Sequence, residues 1–185
     1  MSSRIPTPAT VADAPNAAQP LLQAVQQQIG SVPNLFRLVS NSPAALEGYL
    51  ALSGALGKGS IPAATGERIA LAIAEINGCG YCLSAHTYLG QHVAKLSADE
   101  MQANRAGQSL DAHADLAVAF AAKVARLRGH VSQADVDQLL AASYTPAQVV
   151  EIVLHVALNT WTNYINEVAQ TVIDFPVVLP REHAK

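Results

Sequence analysis

Six consecutive residues, Ile69-Ala70-Leu71-Ala72-Ile73-Ala74, are apolar on every side of the helix that Pro62 or Ala63 opens and that runs to Asn77, with Gly78 ending it. A helix of this kind is buried on most of its faces, which excludes a surface element and demands helical neighbours. The rest of the chain reads as helix after helix. Leu21, Leu22, Val25 and Ile29 repeat at helical spacing before Gly30-Ser31-Val32-Pro33-Asn34 breaks the pattern. Ser42-Pro43, an N-cap followed by proline at the first helical position, opens a helix to about Leu56. Cys79 begins another that reaches about Leu96. Ser97 and Glu100 form a capping box at the next start. Further helices are predicted from Ala112 to Leu127, from Ser132 to Ala142 and from Thr145-Pro146 to about Val172, with Phe175 to Pro180 extended. No alternating strand pattern, hairpin dipeptide or internal repeat is found. The expectation is an all-α fold of seven or eight helices, with residues 1–20 as an N-terminal arm that is flexible or clings to the surface and residues 21–185 as one helical domain.

Composition narrows the function classes. The 185 residues suit a single domain, and with half of them apolar and 14% charged, extensive disorder is excluded. Aromatics make up 5% while there are 34 alanines, a core that favours closely packed helices. Net charge is −3, so no basic surplus exists to grip a phosphate backbone or an anionic membrane surface. The longest apolar run falls far short of the roughly 20 residues a bilayer demands. Residues 1–20 carry four prolines after Arg4 and no apolar stretch to serve a signal peptide; a cytoplasmic protein is expected.

Two cysteines occur, Cys79 and Cys82. In a chain without an export signal, a pair three positions apart reads as redox or metal chemistry. At a helix start, positions i and i+3 share a face, so the two sulfurs can reach bonding distance. Free amide groups and the positive end of the helix dipole favour a thiolate there, and a lowered pKa makes a cysteine nucleophilic. His86 follows Cys82 by four residues on the same face, placed to accept or return a proton. A carboxylate would orient that imidazole; Glu67 and Glu75 are the candidates, and Glu75 lies nearer Cys82 in a simple hairpin turning at Gly78. Zinc is the weaker reading, because no second CxxC or HxxxH is present, although His155 could complete a set with Cys79, Cys82 and His86. No metal ligand is assigned.

Glu67, twelve positions before Cys79, then Cys79-x-x-Cys82 and His86, resembles the signature of AhpD-like alkylhydroperoxidases in the carboxymuconolactone decarboxylase superfamily. Val32-Pro33-Asn34-Leu35-Phe36 with Asn41-Ser42-Pro43, and Asn163-Tyr164-Ile165-Asn166 through Asp174-Phe175-Pro176, resemble the peroxidase-related branch. The likeness covers about residues 20–180. It implies an all-helical AhpD-like fold and thiol peroxidase chemistry. Cys82 would be the peroxidatic thiolate, Cys79 the proton donor and resolving thiol, and Glu67 and His86 the proton relay. It implies no cofactor beyond a redox-active Cys79–Cys82 pair, an external dithiol reductant such as a lipoyl carrier, and a homo-oligomer, trimeric or hexameric. Where the best-known branch carries a second histidine before the second cysteine, this chain has Tyr81, so the relay is shorter or uses the phenol.

One more feature lies on the last helix, where His155, Asn159, Thr162, Asn163, Asn166 and Gln170 recur every three or four residues among apolar neighbours. The stripe is either exposed or faces a pocket or a symmetry-related subunit; His155 and Asn163, with Tyr81, are the predicted binding residues. The function expected is hydroperoxide reduction. Its rivals are a disulfide oxidoreductase without peroxidase activity and a non-enzymatic redox-sensing or metal-binding oligomer. Decarboxylation of a muconolactone is least favoured, since that chemistry does not call for a CxxC pair.

Overall fold

The structure, a computed structural model, describes residues 3–181. Among them are nine α-helices, a short 3-10 turn at Val11–Asp13 and no strand. The helices are α1 (Gln19–Ile29), α2 (Asn34–Val39), α3 (Pro43–Leu56), α4 (Ala63–Ile76), α5 (Gly80–His92), α6 (Ala98–Arg105), α7 (Ala112–Arg126), α8 (Gln133–Ala141) and α9 (Pro146–Ala169). The all-α expectation holds. The element beyond the expected eight is α2, six residues whose N-cap, Pro33, makes no side-chain cap bond. So short a helix displays neither a full apolar period nor a start signal.

Helix α4 is the hub. Residues 69 to 74 are each at most 2% exposed, and α5, α6, α7 and α9 all pack on α4. Its two sides belong to different apolar clusters. Leu71 and Ala74 join Leu22, Leu46 and Leu83, while Ile69, Ala72 and Ile73 join Val118, Leu139 and Ile152. Each such Ile or Leu contributes roughly 1.5–3 kcal/mol by burial, so the helix with no polar stripe ties the two halves of the core together.

The turn from α4 into α5 is built by Gly78, whose φ of 68° is left-handed. Its N–H donates to the Glu75 carbonyl and the Cys79 N–H to that of Ala74, the paired closure that ends helices at a glycine. Cys79 is at once the residue after that closure and the N-cap of α5. Helix α5 stops at His92 rather than near Leu96, and Lys95 turns left-handed before Ser97 caps α6.

Both ends of the described residues are tied down. Residues 3–18 run over the surface, where Ser3 Oγ and Arg4 N donate to the Ala169 carbonyl and Asn41 Nδ2 to that of Pro6. Ala14 and Ala18 are buried in the core. Residues 171–181 form an extended strap across α5. Val178 N donates to Ser84 Oγ at 2.9 Å, Arg105 Nη2 to the Leu179 carbonyl at 2.9 Å, and Arg181 N to Glu75 Oε1 at 2.7 Å.

The Ser97 box closes on one side only. Ser97 Oγ accepts from Glu100 N at 3.2 Å, but the Glu100 carboxylate turns inward. It accepts from Arg68 Nε, Asn104 Nδ2, Ser109 Oγ and Leu110 N, all within 2.9 Å. Burial opposes its charge, yet the bonds from Ser109, Asn104, Arg68 and Leu110 prevail and hold the carboxyl at about 2, below its ordinary 4.5. A depressed carboxyl stabilises the fold above its unfolded pKa and loses that contribution as pH falls through the folded one. Glu100→Gln is therefore expected to cost about 2 kcal/mol at neutral pH. Urea unfolding of wild type and variant should show the gap narrowing as pH drops from about 4.5 toward 2.

Candidate active site

The α4–α5 corner places both thiols. Cys79, wholly buried, accepts at Sγ from Cys82 N at 3.3 Å, so its sulfur caps the first turn of α5. Cys82 is 3% exposed and lines a cavity of about 450 Å³, and both cysteines are free. The two thiols are electrostatically unequal. The hydrogen bond between them raises the pKa of Cys79, with burial acting the same way. That bond lowers Cys82 from its ordinary 9.0 to about 7 against the opposing effect of burial, helped by the His86 charge and by the amides of Asn166 and Asn163. Of the two, Cys82 is the sulfur that lines the cavity and the one whose pKa is drawn down.

His86 lies one turn along α5, and its Nδ1 meets Glu67 Oε2 at 2.9 Å. The two side chains are 21% and 24% exposed. Burial works against a protonated imidazole, but the charge and hydrogen bond of Glu67, followed by Cys82, outweigh it and raise the His86 pKa. With Nδ1 committed to Glu67, Nε2 is the nitrogen left for a reacting molecule. Glu75 does not reach this site. It is 3% exposed, pairs with Arg105 Nε at 2.6 Å and accepts from Arg181 N. A separation of eight positions turns Glu67 and Glu75 about 80° apart around α4, one toward His86 on α5 and the other toward α6 and the strap.

The remaining predicted residues also gather here, in different capacities. The Tyr81 ring lines the cavity while its hydroxyl accepts from Leu35 N at 3.1 Å; the phenol is tied to α2 rather than to His86, and burial raises its pKa. Asn163, fully buried, accepts at Oδ1 from Asn77 Nδ2 at 2.9 Å and leaves Nδ2 without a protein partner. His155 lines the cavity. Among the described residues, no three His, Cys, Asp or Glu side chains stand where they could hold a metal ion.

The polar stripe of α9 turns inward within the same chain. Asn159, Thr162, Asn163 and Asn166 are buried, and only its end, Gln170, is exposed. Asn166 Nδ2 donates to Cys82 Sγ at 3.3 Å, a contact that the stripe signalled as a buried amide without saying what it faced. Tyr49 on α3 had no such signal. It lines the cavity, and burial, then the charges of Cys82 and Glu67, raise its pKa.

The sequence model of the carboxymuconolactone decarboxylase family matches residues 43–127, the stretch that holds Glu67, both cysteines and His86. No curated protein matches the chain. Among solved structures, an uncharacterised peroxidase-related protein of Ralstonia eutropha JMP134 with an alkylhydroperoxidase AhpD core is 25% identical, with 94% of this chain and 93% of that one covered and a TM-score of 0.82. A second, from Silicibacter sp. TM1040, is 23% identical over 90% and 91%, with a TM-score of 0.78. The debrominase Bmp8, solved free and as a cysteine-to-alanine variant with 2,3,4-tribromopyrrole, shares the fold at 22% identity and a TM-score of 0.75, with 91% of this chain covered.

Removing one amide donor from the thiolate should raise its pKa. Asn166→Leu is expected to move Cys82 up from about 7 by about one unit. The ultraviolet absorbance of the thiolate, followed against pH, checks this; in wild type the signal should grow as pH rises through about 7.

Proposed function

The chain belongs to the AhpD-like/carboxymuconolactone decarboxylase superfamily, and on that footing we propose that it is a thiol-dependent hydroperoxide reductase. The observation that carries the reading is the unequal thiol pair. Cys82 opens onto a cavity with its pKa drawn down to about 7, Cys79 sits behind it with its sulfur accepting from the Cys82 N–H, and a Glu67–His86 pair stands beside it.

In the proposed reaction the Cys82 thiolate attacks the outer oxygen of a hydroperoxide. The O–O bond breaks, Cys82 becomes a sulfenic acid, and the leaving alkoxide takes a proton to depart as an alcohol. His86, held charged by Glu67, is the proton source. Asn166 donates an N–H to the Cys82 sulfur and so favours the thiolate that attacks. The Cys79 sulfur then attacks the sulfenic acid; a Cys79–Cys82 disulfide forms and water leaves. The net change is one hydroperoxide and two thiols to one alcohol, one water and one disulfide.

A dithiol, such as the lipoyl group of a carrier protein, returns the two electrons, and the enzyme works in the cytoplasm as a homo-oligomer, trimeric or hexameric. The oligomer is favoured by an apolar row on α9, where Val150, Val153, Trp161, Tyr164 and Val168 are all exposed. No helix of the described residues is long and apolar enough to cross a membrane. A second reading, reduction of a ring halide to the parent ring by the same dithiol with release of halide, is favoured by the aromatic lining of the cavity. Its product is free bromide rather than an alcohol.

Mass spectrometry after one equivalent of hydroperoxide tests the roles. Wild type should form the intramolecular disulfide, and Cys79→Ser should trap a sulfenate on Cys82. A sulfenate confined to Cys79 in the Cys82→Ser variant would reverse them, and oxidation no faster than that of free cysteine would leave a disulfide oxidoreductase. Glu67→Gln is expected to slow peroxide turnover at least about tenfold, whereas Glu75→Gln should lower thermal stability and spare turnover.

A further inference from the structure

The chain has nine aromatic residues, and five of them, Phe36, Tyr49, Tyr81, Tyr88 and Phe175, line the cavity that Cys82 faces. They come from α2, α3, α5 and the C-terminal strap. A volume of about 450 Å³ lies within the roughly 300–1,000 Å³ of small-molecule sites and far exceeds what a bare peroxide needs. Aromatic walls attract flat rings by stacked and edge-to-face contacts.

The polar atoms around this space are largely spoken for. Thr162 Oγ1 donates to the Asn159 carbonyl at 2.9 Å, and Asn159 Nδ2 to that of His155 at 2.8 Å. Glu67 and His86 hold each other. His155, also in the lining, has its Nε2 buried without a hydrogen-bond partner. A buried polar atom left unpaired is costly and uncommon. Burial lowers the His155 pKa despite the nearby charges of Glu151 and Glu67, so the ring is neutral near pH 7 and suits an uncharged partner. The imidazole lies against α4 at Gly66, where Cε1 would be 3.2 Å from an added Cβ. Glycine in the middle of a helix lowers its stability; here its missing side chain makes room for this ring.

We propose that the cavity is a binding site for a compact, ring-bearing apolar molecule whose neutral hydroxyl or N–H group bonds His155 Nε2, with its reacting end at Cys82. The role of that molecule as the oxidant rests on the hydroperoxide reading above, but its binding does not. On that reading the substrate is an organic hydroperoxide built on such a ring, in preference to hydrogen peroxide.

Phenol and toluene, equal in size and unreactive toward thiols, are the probes. Binding to the reduced, full-length protein is followed by calorimetry and by the fluorescence of Trp161, the single tryptophan, whose ring lies 5.4 Å from that of Tyr49 in the cavity wall. Both probes should bind wild type. His155→Leu should lower the affinity for phenol relative to toluene at least about tenfold, the worth of one buried hydrogen bond. In wild type, needing no variant to fold, the His155 Nε2 nitrogen resonance should move with phenol and stay with toluene. Failure of both probes to bind, an unchanged phenol-to-toluene ratio in His155→Leu, or a resonance indifferent to phenol overturns the proposal. Binding through His155 without peroxide turnover would remove the peroxidase reading and keep this one.

Discussion

The structure turns on one tight corner. Gly78 takes a left-handed conformation open to glycine at little cost, and this lets α5 begin one residue after α4 has closed. Cys79 then has two duties: its N–H finishes α4 and its sulfur starts α5. A longer connection would separate the thiols from the hub helix. As built, α4 carries the acid that holds His86 while its C-terminal end fixes Cys79, so the members of the candidate site are set by two helices meeting at a single residue. The apolar middle of α4, clamped by neighbours on all sides, keeps those two ends in register.

Helix α9 supplies what α4 and α5 lack. Burying Asn159, Thr162, Asn163 and Asn166 on one helix carries a desolvation cost that apolar residues would avoid. Part is offset by bonds to the helix's own carbonyls and to Asn77. What is left, the amides beside Cys82 and the free nitrogen of His155, marks where the helix has polar capacity that the fold itself does not consume. Stability alone does not account for such groups; the Asn166 amide meets the Cys82 sulfur and His155 lines the cavity.

The helices were legible because their starts and stops are local. Ser42-Pro43, Thr145-Pro146, Gly78 and Gly129 act through backbone geometry within a few residues, and the helices they bound appear where expected. The misses are of another kind. Glu100 has the spacing of a capping residue, but Arg68, thirty-two positions away, and the α6–α7 loop claim its carboxylate. The choice between Glu67 and Glu75 was not decidable from a hairpin picture, because helical rotation and the distant Arg105 and Arg181 separate them. Tyr49 reaches the cavity only through the packing of α3. The thiol–imidazole register, by contrast, lies within one turn of helix and could be read directly.

The charges at the corner bear on how a proton would be delivered in the proposed reaction. His86 owes its raised pKa to two anions, Glu67 and, behind it, Cys82, while Cys82 owes part of its lowered pKa to His86. The dependence is mutual, as linkage between interacting sites requires. In the proposed reaction, formation of the S–O bond removes the thiolate charge as the alkoxide leaves. His86 then keeps Glu67 but loses its second anion, so its proton is held less firmly once the sulfur has reacted. A relay with Glu67 alone would bind the proton with constant strength throughout. Coupling it to the thiolate makes release follow oxidation, and reduction by an incoming dithiol would restore both the thiolate and the affinity for the proton.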